Sequence, residues 1–209
     1  MLAPLSFANA ADVDISSYDW SGPYLGIQGG FAFGDASHSF SNGAPSDNSD
    51  PEGFLGGVHA GFNGQLGDIL VGLEVDAELT GINGSFNNTT GGTSSGSTDI
   101  NSQGSLRARI GLPMDRLLPY ITGGLAAADV DYGGGPSGGP CCGFSKTALG
   151  YTLGAGIEYA ITDSITTRVE YRYTDFGSES GGLSPTFPTV SMPTDLETHA
   201  VRFGLSFQF

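Results

Sequence analysis

Apolar and polar side chains alternate one for one along most of this chain, in eight separate runs. Residues 105–112 show it most cleanly. Leu106, Ala108, Ile110 and Leu112 share one face of an extended strand, while Ser105, Arg107, Arg109 and Gly111 share the other. The preceding run, residues 69–79, sets Ile69, Val71, Leu73, Val75, Ala77 and Leu79 against Leu70, Gly72, Glu74, Asp76 and Glu78. If these two strands are antiparallel neighbours, an acidic row meets a row carrying two arginines, and the two can form ion pairs. The pattern returns at residues 24–33, 54–65, 117–128, 146–161, 165–176 and 201–209.

A soluble sheet would turn the leucines inward and leave the arginines in water. The distribution of charge argues for the reverse. Of seven basic residues, Arg107, Arg109, Arg168, Arg172 and Arg202 fall on polar strand faces, as do Glu74, Asp76, Glu78, Glu158 and Glu170. Five arginines and five carboxylates make a nearly neutral interior, wrapped in an apolar exterior, which is what a membrane barrel requires. The polar connections alternate in length: residues 34–53, 80–101, 129–145 and 177–196 are long, whereas 66–68, 113–116 and 162–164 are short turns. The reading is all-β: an eight-stranded antiparallel up-and-down transmembrane β-barrel, with short periplasmic turns and four long extracellular loops. An even strand count places both termini on the periplasmic side. A soluble ligand-holding barrel is the competing architecture, but it would solvate the arginines and bury the leucine face.

Aromatic residues sharpen this picture. Phe31, Phe33, Phe62, Tyr151, Tyr159, Tyr171, Tyr173, Phe207 and Phe209 stand on or near the outward rows. Tyr18 and the single tryptophan, Trp20, lie just before the first strand. All suit a water–bilayer boundary, where a ring is half buried and its polar atom stays wet.

The formal net charge of -15 disfavours nucleic acid and anionic headgroups as partners through simple attraction. Because the strand charges nearly cancel, the excess acid must sit in the connections. The chain holds 35 glycines, and its mean hydropathy is close to zero. No apolar run reaches the roughly 18 residues a membrane helix needs, and a barrel does not require one. Residues 1–10 end in Ala8-Asn9-Ala10 and read as the truncated tail of a signal peptide, although a basic leading region is missing. Residues 11–21 form a periplasmic lead, and 22–209 the barrel.

Several residues are weighed for chemistry. Cys141 and Cys142 are adjacent, which strains a mutual disulfide, and two thiolates alone make a weak metal site. His38 falls in a loop, His59 on an inward face, and His199 at the membrane edge near Glu197 and Thr198, with no serine placed as a nucleophile. His59 is read as a hydrogen bonder within the lumen. Asp35, Asp47, Asp50, Glu52, Asp129, Asp131, Glu179, Asp195 and Glu197 could share divalent cations with lipopolysaccharide phosphates, but their spacing matches no calcium loop. No catalytic residue, bound metal or cofactor is expected. An interior of this width filled by paired charges predicts a plugged lumen or a narrow wet path.

Five stretches carry a family resemblance: residues 20–26 (WSGPYLG), 104–111 (GSLRARIG), 118–126 (LPYITGGLA), 169–173 (VEYRY) and the terminal 201–209. In these the chain resembles the alphaproteobacterial porin-family outer-membrane proteins, often called outer membrane immunogenic proteins, which are related to opacity-type and OmpA-like eight-stranded barrels. The resemblance implies a non-enzymatic envelope protein in contact with outer-membrane lipids and lipopolysaccharide. It also implies that Phe209 is the terminal phenylalanine read by the barrel-assembly machinery. The resemblance departs from the two-domain OmpA proteins, whose periplasmic peptidoglycan-binding domain has no counterpart in these 209 residues, so direct wall anchoring is not expected.

Overall fold

Eight of the runs close into a single wall. The computed structural model describes residues 18–38, 47–49, 52–88, 94–136, 142–182 and 191–209. Its wall strands are β1 (Gly22–His38), β3 (Glu52–Leu66), β4 (Ile69–Asn88), β5 (Ser94–Gly111), β6 (Leu117–Pro136), β7 (Cys142–Ala160), β8 (Ile165–Gly182) and β9 (Ser191–Gln208). A three-residue β2 (Asp47–Ser49) pairs with the end of β1. Each wall strand is hydrogen-bonded antiparallel to its sequence neighbours, and β1 also pairs with β9 from Tyr24↔Gln208 to His38↔Thr194. That last pairing removes both sheet edges, so no backbone ladder is left open to lipid.

The short turns fall where expected. Gly67-Asp68 links β3 to β4, with Gly67 at φ 64°, a left-handed conformation that glycine adopts without strain. Gly177, at φ 69°, stands in a break of register between Asp175 and Ser178 on β8, and its N–H donates to Asp175 Oδ1 at 2.7 Å.

The strands run farther than the alternation predicts. Most of 80–101, expected to be a loop, is strand: β4 continues to Asn88 and β5 begins at Ser94, paired up to Asn88↔Ser94. The other long connections are likewise shortened by strand on both sides. Here the outward face turns polar, with Gly81, Asn83 and Asn101 exposed, while the inward face carries Ile82 and Ile100, so the apolar-out signal is lost while the hydrogen-bonded ladder continues.

Which way the faces point is settled by exposure. Leu106 and Ile110 are 59% and 52% exposed, and Leu73 is 61% exposed, whereas Arg107 and Arg109 are each 1% exposed. Leucine, isoleucine, valine and aromatic side chains cover the outside of every wall strand. Arginine and carboxylate side chains lie within.

Candidate functional site

Enclosed by the eight strands is a stack of three layers. The middle layer holds the five arginines and five carboxylates expected there, each no more than 4% exposed. Register explains how they meet. Glu74 lies directly across from Arg107 in the β4–β5 ladder, Glu158 across from Arg168 between β7 and β8, and Glu170 across from Arg202 between β8 and β9.

Side chains then choose partners across the lumen as well as along the wall. Arg107 pairs with Glu74 and, through Nη1, donates to Glu170 Oε1 at 2.8 Å. Arg168 Nη1 reaches the other oxygen of Glu74 at 2.5 Å. Arg172 donates through Nε to Glu170 at 2.9 Å and through Nη1 to Asp76 Oδ1 at 3.2 Å. Arg109 Nη2 pairs with Glu158 Oε2 at 2.7 Å, and its guanidinium lies 4.1 Å from the centroid of the Tyr120 ring. Arg202 grips Glu78 through Nε and Nη2 at 2.8 and 2.9 Å, the forked geometry that makes arginine suited to carboxylates.

Neutral residues join these pairs into one web. The Tyr24 hydroxyl donates to Glu74 Oε2 at 2.7 Å and receives Arg109 Nη1 at 3.3 Å. Tyr120 donates to Glu170 at 3.0 Å. Gln28 accepts from Arg168 at 2.6 Å and donates to Glu78 at 2.6 Å. Gln103 donates to Glu78 at 2.6 Å, Thr166 to Glu158 at 2.6 Å, and Ser105 to Asp76. A charge withdrawn from water in this way is tolerable when its remaining lone pairs and protons are also satisfied, and the web meets most of them, leaving Arg107 Nε, Arg109 Nε and Arg202 Nη1 without a protein partner. Charge alternation identifies the ions but passes over Tyr24, Gln28, Gln103, Ser105, Tyr120 and Thr166. Their signal is position, since each stands on an inward row.

Space for these large groups comes from glycines on the same rows. A Cβ on Gly156 would fall 2.7 Å from the Tyr120 hydroxyl, and one on Gly204 would fall 3.0 Å from Arg168 Cγ. Inward glycines therefore act as sockets.

Above and below the ionic layer the interior is largely apolar, with Thr152, Thr174 and Thr198 among it on the hairpin side and Asn63 and Gln208 on the turn side. Toward the long hairpins, Ala32, Leu55, Ile82, Ile100, Ala126, Ala128, Val130, Ala148, Phe176 and Ala200 form a buried cluster. At the turn end, Tyr18, Trp20, Leu70, Leu118 and Ala160 form another. This corrects the placement of Tyr18 and Trp20 at the bilayer boundary. Trp20 is fully buried, packs edge-on to Tyr18 with centroids 4.7 Å apart, and donates its indole N–H to Asp115 O at 3.0 Å.

Residues 18–21, the described end of the lead, fold across the barrel mouth instead of lying along its rim, because Leu70 and Leu118 project apolar surface into that mouth. Tyr18 donates to Gln208 Oε1 at 2.9 Å, and Gln208 Nε2 donates back to the carbonyls of Asp19 and Ser21 at 3.0 and 2.8 Å. Burial, and next the Glu158 carboxylate, raise the Tyr18 hydroxyl above its ordinary pKa, which keeps it a donor.

The remaining aromatics stand outside. Phe31, Phe33, Phe62, Tyr151, Tyr159, Tyr171, Phe207 and Phe209 are all exposed, and Tyr173 is half-buried beside them. His199 packs among Phe33, Tyr171 and Tyr173 on this outer wall, with its Nδ1 2.7 Å from the Tyr171 hydroxyl. His59 is 1% exposed in the lumen, and its Nε2 lies 2.8 Å from Ser206 Oγ. Its Nδ1 has no protein partner, so no carboxylate completes a triad there. Among the described residues no three His, Cys, Asp or Glu side chains cluster as metal ligands. Residues 1–17, Asp50 and Cys141 lie outside the described residues, as do the side chains of Asp35, His38, Asp47, Cys142, Glu179 and Asp195.

A closed antiparallel barrel with an apolar outer wall and an enclosed ionic interior defines a transmembrane β-barrel. Comparison with known proteins places it more narrowly. The sequence matches the outer membrane protein beta-barrel domain family over residues 1–209, and the chain belongs to that family. It is 35% identical to a 31 kDa outer-membrane immunogenic protein of Brucella melitensis, over 98% of this chain and 89% of that one. It is also 35% identical to a 22 kDa outer membrane protein of Rhizobium leguminosarum bv. viciae, over 91% and 78%. Among solved structures, the outer membrane protein OprG from Pseudomonas aeruginosa aligns with TM-score 0.52 at 15% identity, over 90% of this chain and 98% of that one. The outer membrane protease OmpT from Escherichia coli aligns with TM-score 0.53 at 11% identity, over 90% and 96%. At such identities the two structures speak for the fold alone. The protein is an outer-membrane β-barrel of the alphaproteobacterial immunogenic-protein group.

Proposed function

We propose that this protein is a structural, non-enzymatic barrel of the envelope, held in the outer membrane with both termini periplasmic and its long hairpins forming the exposed surface. The observation that carries this reading is the sealing of the lumen. An ionic web linking ten charged residues is bounded at one end by the Trp20 cluster and at the other by the Phe176 cluster. A solute would have to pass two layers packed with apolar side chains and break buried ion pairs, and breaking a buried pair is strongly destabilising. This weighs against a passive channel. The buried His59–Ser206 pair, without a carboxylate on its free ring nitrogen, weighs against hydrolytic chemistry.

The apolar outer wall suits outer-membrane lipids and the acyl chains of lipopolysaccharide, and Phe209, 73% exposed beside Phe207, is accessible to the barrel-assembly machinery. The test is planar-bilayer recording of the refolded protein. No unitary conductance is expected at moderate voltage; steady ohmic channels in the wild-type protein would reverse the assignment in favour of a porin.

A further inference from the structure

The outer wall is not uniformly convex. Across β4, β5 and β6 it carries a depression of about 540 Å³ at the upper edge of the apolar belt. Its floor is Ala77, Gly104 and Ala127, which face one another in register across the three strands, and Val58 and Leu79 stand at its side. The next row toward the hairpins is polar: Ser102 opposite Asp129, and Asp129 opposite Thr147. Here a bulge at Asn101 breaks the register of β5 against β6, the kind of defect that re-aims side chains.

The Asp129 carboxylate is held in place, accepting from Thr147 Oγ1 at 2.9 Å and from Ser102 Oγ at 3.2 Å, while remaining exposed. One row higher, Asp131 accepts from Asn101 at 2.5 Å. The lip of the depression is therefore acidic, fixed and short of donors.

We propose that this depression binds a membrane lipid bearing a primary amine, in the hairpin-side leaflet an amine-substituted lipopolysaccharide for which phosphatidylethanolamine is the probe, with an acyl chain on the Ala77–Gly104–Ala127 floor and the ammonium on Asp129. An ammonium brings three donors to a carboxylate with lone pairs to spare, whereas a headgroup carrying only phosphate meets like charge. A cation bridge to phosphate lacks a ready set of ligands, since no three metal-ligating side chains cluster among the described residues. The proposal rests on the barrel lying in a membrane, not on its having a structural role.

The test is native mass spectrometry of the refolded full chain in detergent. Phosphatidylethanolamine, phosphatidylcholine and phosphatidylglycerol with identical chains are titrated with and without magnesium, and free ethanolamine serves as competitor. Wild type should retain the ethanolamine lipid on the order of tenfold more tightly than the other two, the range of one charge-assisted hydrogen bond. Asp129→Asn should abolish that preference, and Ala127→Leu, which fills the floor, should weaken all three lipids. Free ethanolamine should not compete. Should Ala127→Leu fail to refold, Ser102→Ala combined with Thr147→Val tests the carboxylate alone, and the preference should fall. Equal retention of all headgroups, a preference that survives Asp129→Asn, or tightest binding of phosphatidylglycerol in the presence of magnesium would each overturn the proposal, and none of these depends on conductance.

Discussion

The two ends of the lumen are sealed by similar chemistry obtained from different parts of the chain. At the hairpin end the wall strands supply the seal themselves, through inward residues such as Leu55, Ile82, Ile100, Val130 and Phe176. At the turn end Leu70, Leu118 and Ala160 supply only half of it, and Tyr18 and Trp20 arrive from the lead that precedes β1. Between them lies a layer that is almost all ions and hydroxyls. The difference teaches that a small barrel need not fill its interior with one kind of contact. Apolar layers exclude water at the mouths, and with water excluded, the ion pairs between them act in a lower dielectric and strengthen.

The comparison is broken most severely at its centre. Arg107 serves Glu74, Asp76 and Glu170 together, so Arg107→Ala leaves three buried carboxylates short of a partner. Its expected cost is roughly 3–5 kcal/mol, read as a lowered urea midpoint for the refolded barrel. Adding Glu74→Ala should then cost much less than it does alone, because the two residues share one interaction. Additive losses would mean that Arg107 acts only by packing. Next in size is the outer wall. Leu73→Arg places a cation at mid-depth in lipid and should destabilise by about 2–4 kcal/mol, with most of the effect lost in detergent micelles that admit water to the side chain.

How much of this was legible follows from where alternation holds. Arg107 against Leu106, or Glu74 against Leu73, is a strong contrast between neighbours, and it gives strand faces, neighbours and the closed topology. Beyond Leu79 on β4 and before Ser102 on β5 the outward face turns polar while the inward face carries Ile82 and Ile100, so the apolar-out pattern is lost and residues 80–101 read as loop although β4 and β5 stay paired through most of them. Trp20 was misplaced for a different reason. An aromatic ring beside an apolar belt satisfies the composition of an interface as well as that of a plug, and local pattern does not separate the two. A clue was present in Leu70 and Leu118, apolar residues on otherwise inward polar rows at the turn end, and in Leu55 and Val130 at the other. Apolar breaks in a polar row mark a lumen that closes.

The smallest of the three effects is also the one that sharpens the comparison. Trp20→Ala removes the largest side chain of the turn-end seal and its bond to Asp115 O, but leaves the eight-stranded wall and the ionic web intact. With the ring gone, water can enter the vacated space from the barrel mouth, so the loss should be about 2 kcal/mol, under the roughly 3–5 kcal/mol typical of an enclosed aromatic. Because Trp20 is the only tryptophan, its surroundings can be read directly: wild-type emission should be blue-shifted and poorly quenched by acrylamide. Conductance separates the two seals. If each closes the lumen independently, Trp20→Ala alone stays silent in a planar bilayer, as does Phe176→Ala alone, and only the double variant shows brief openings. Openings from Trp20→Ala by itself would mean that the strand-supplied layer is leaky and that the lead is the true stopper.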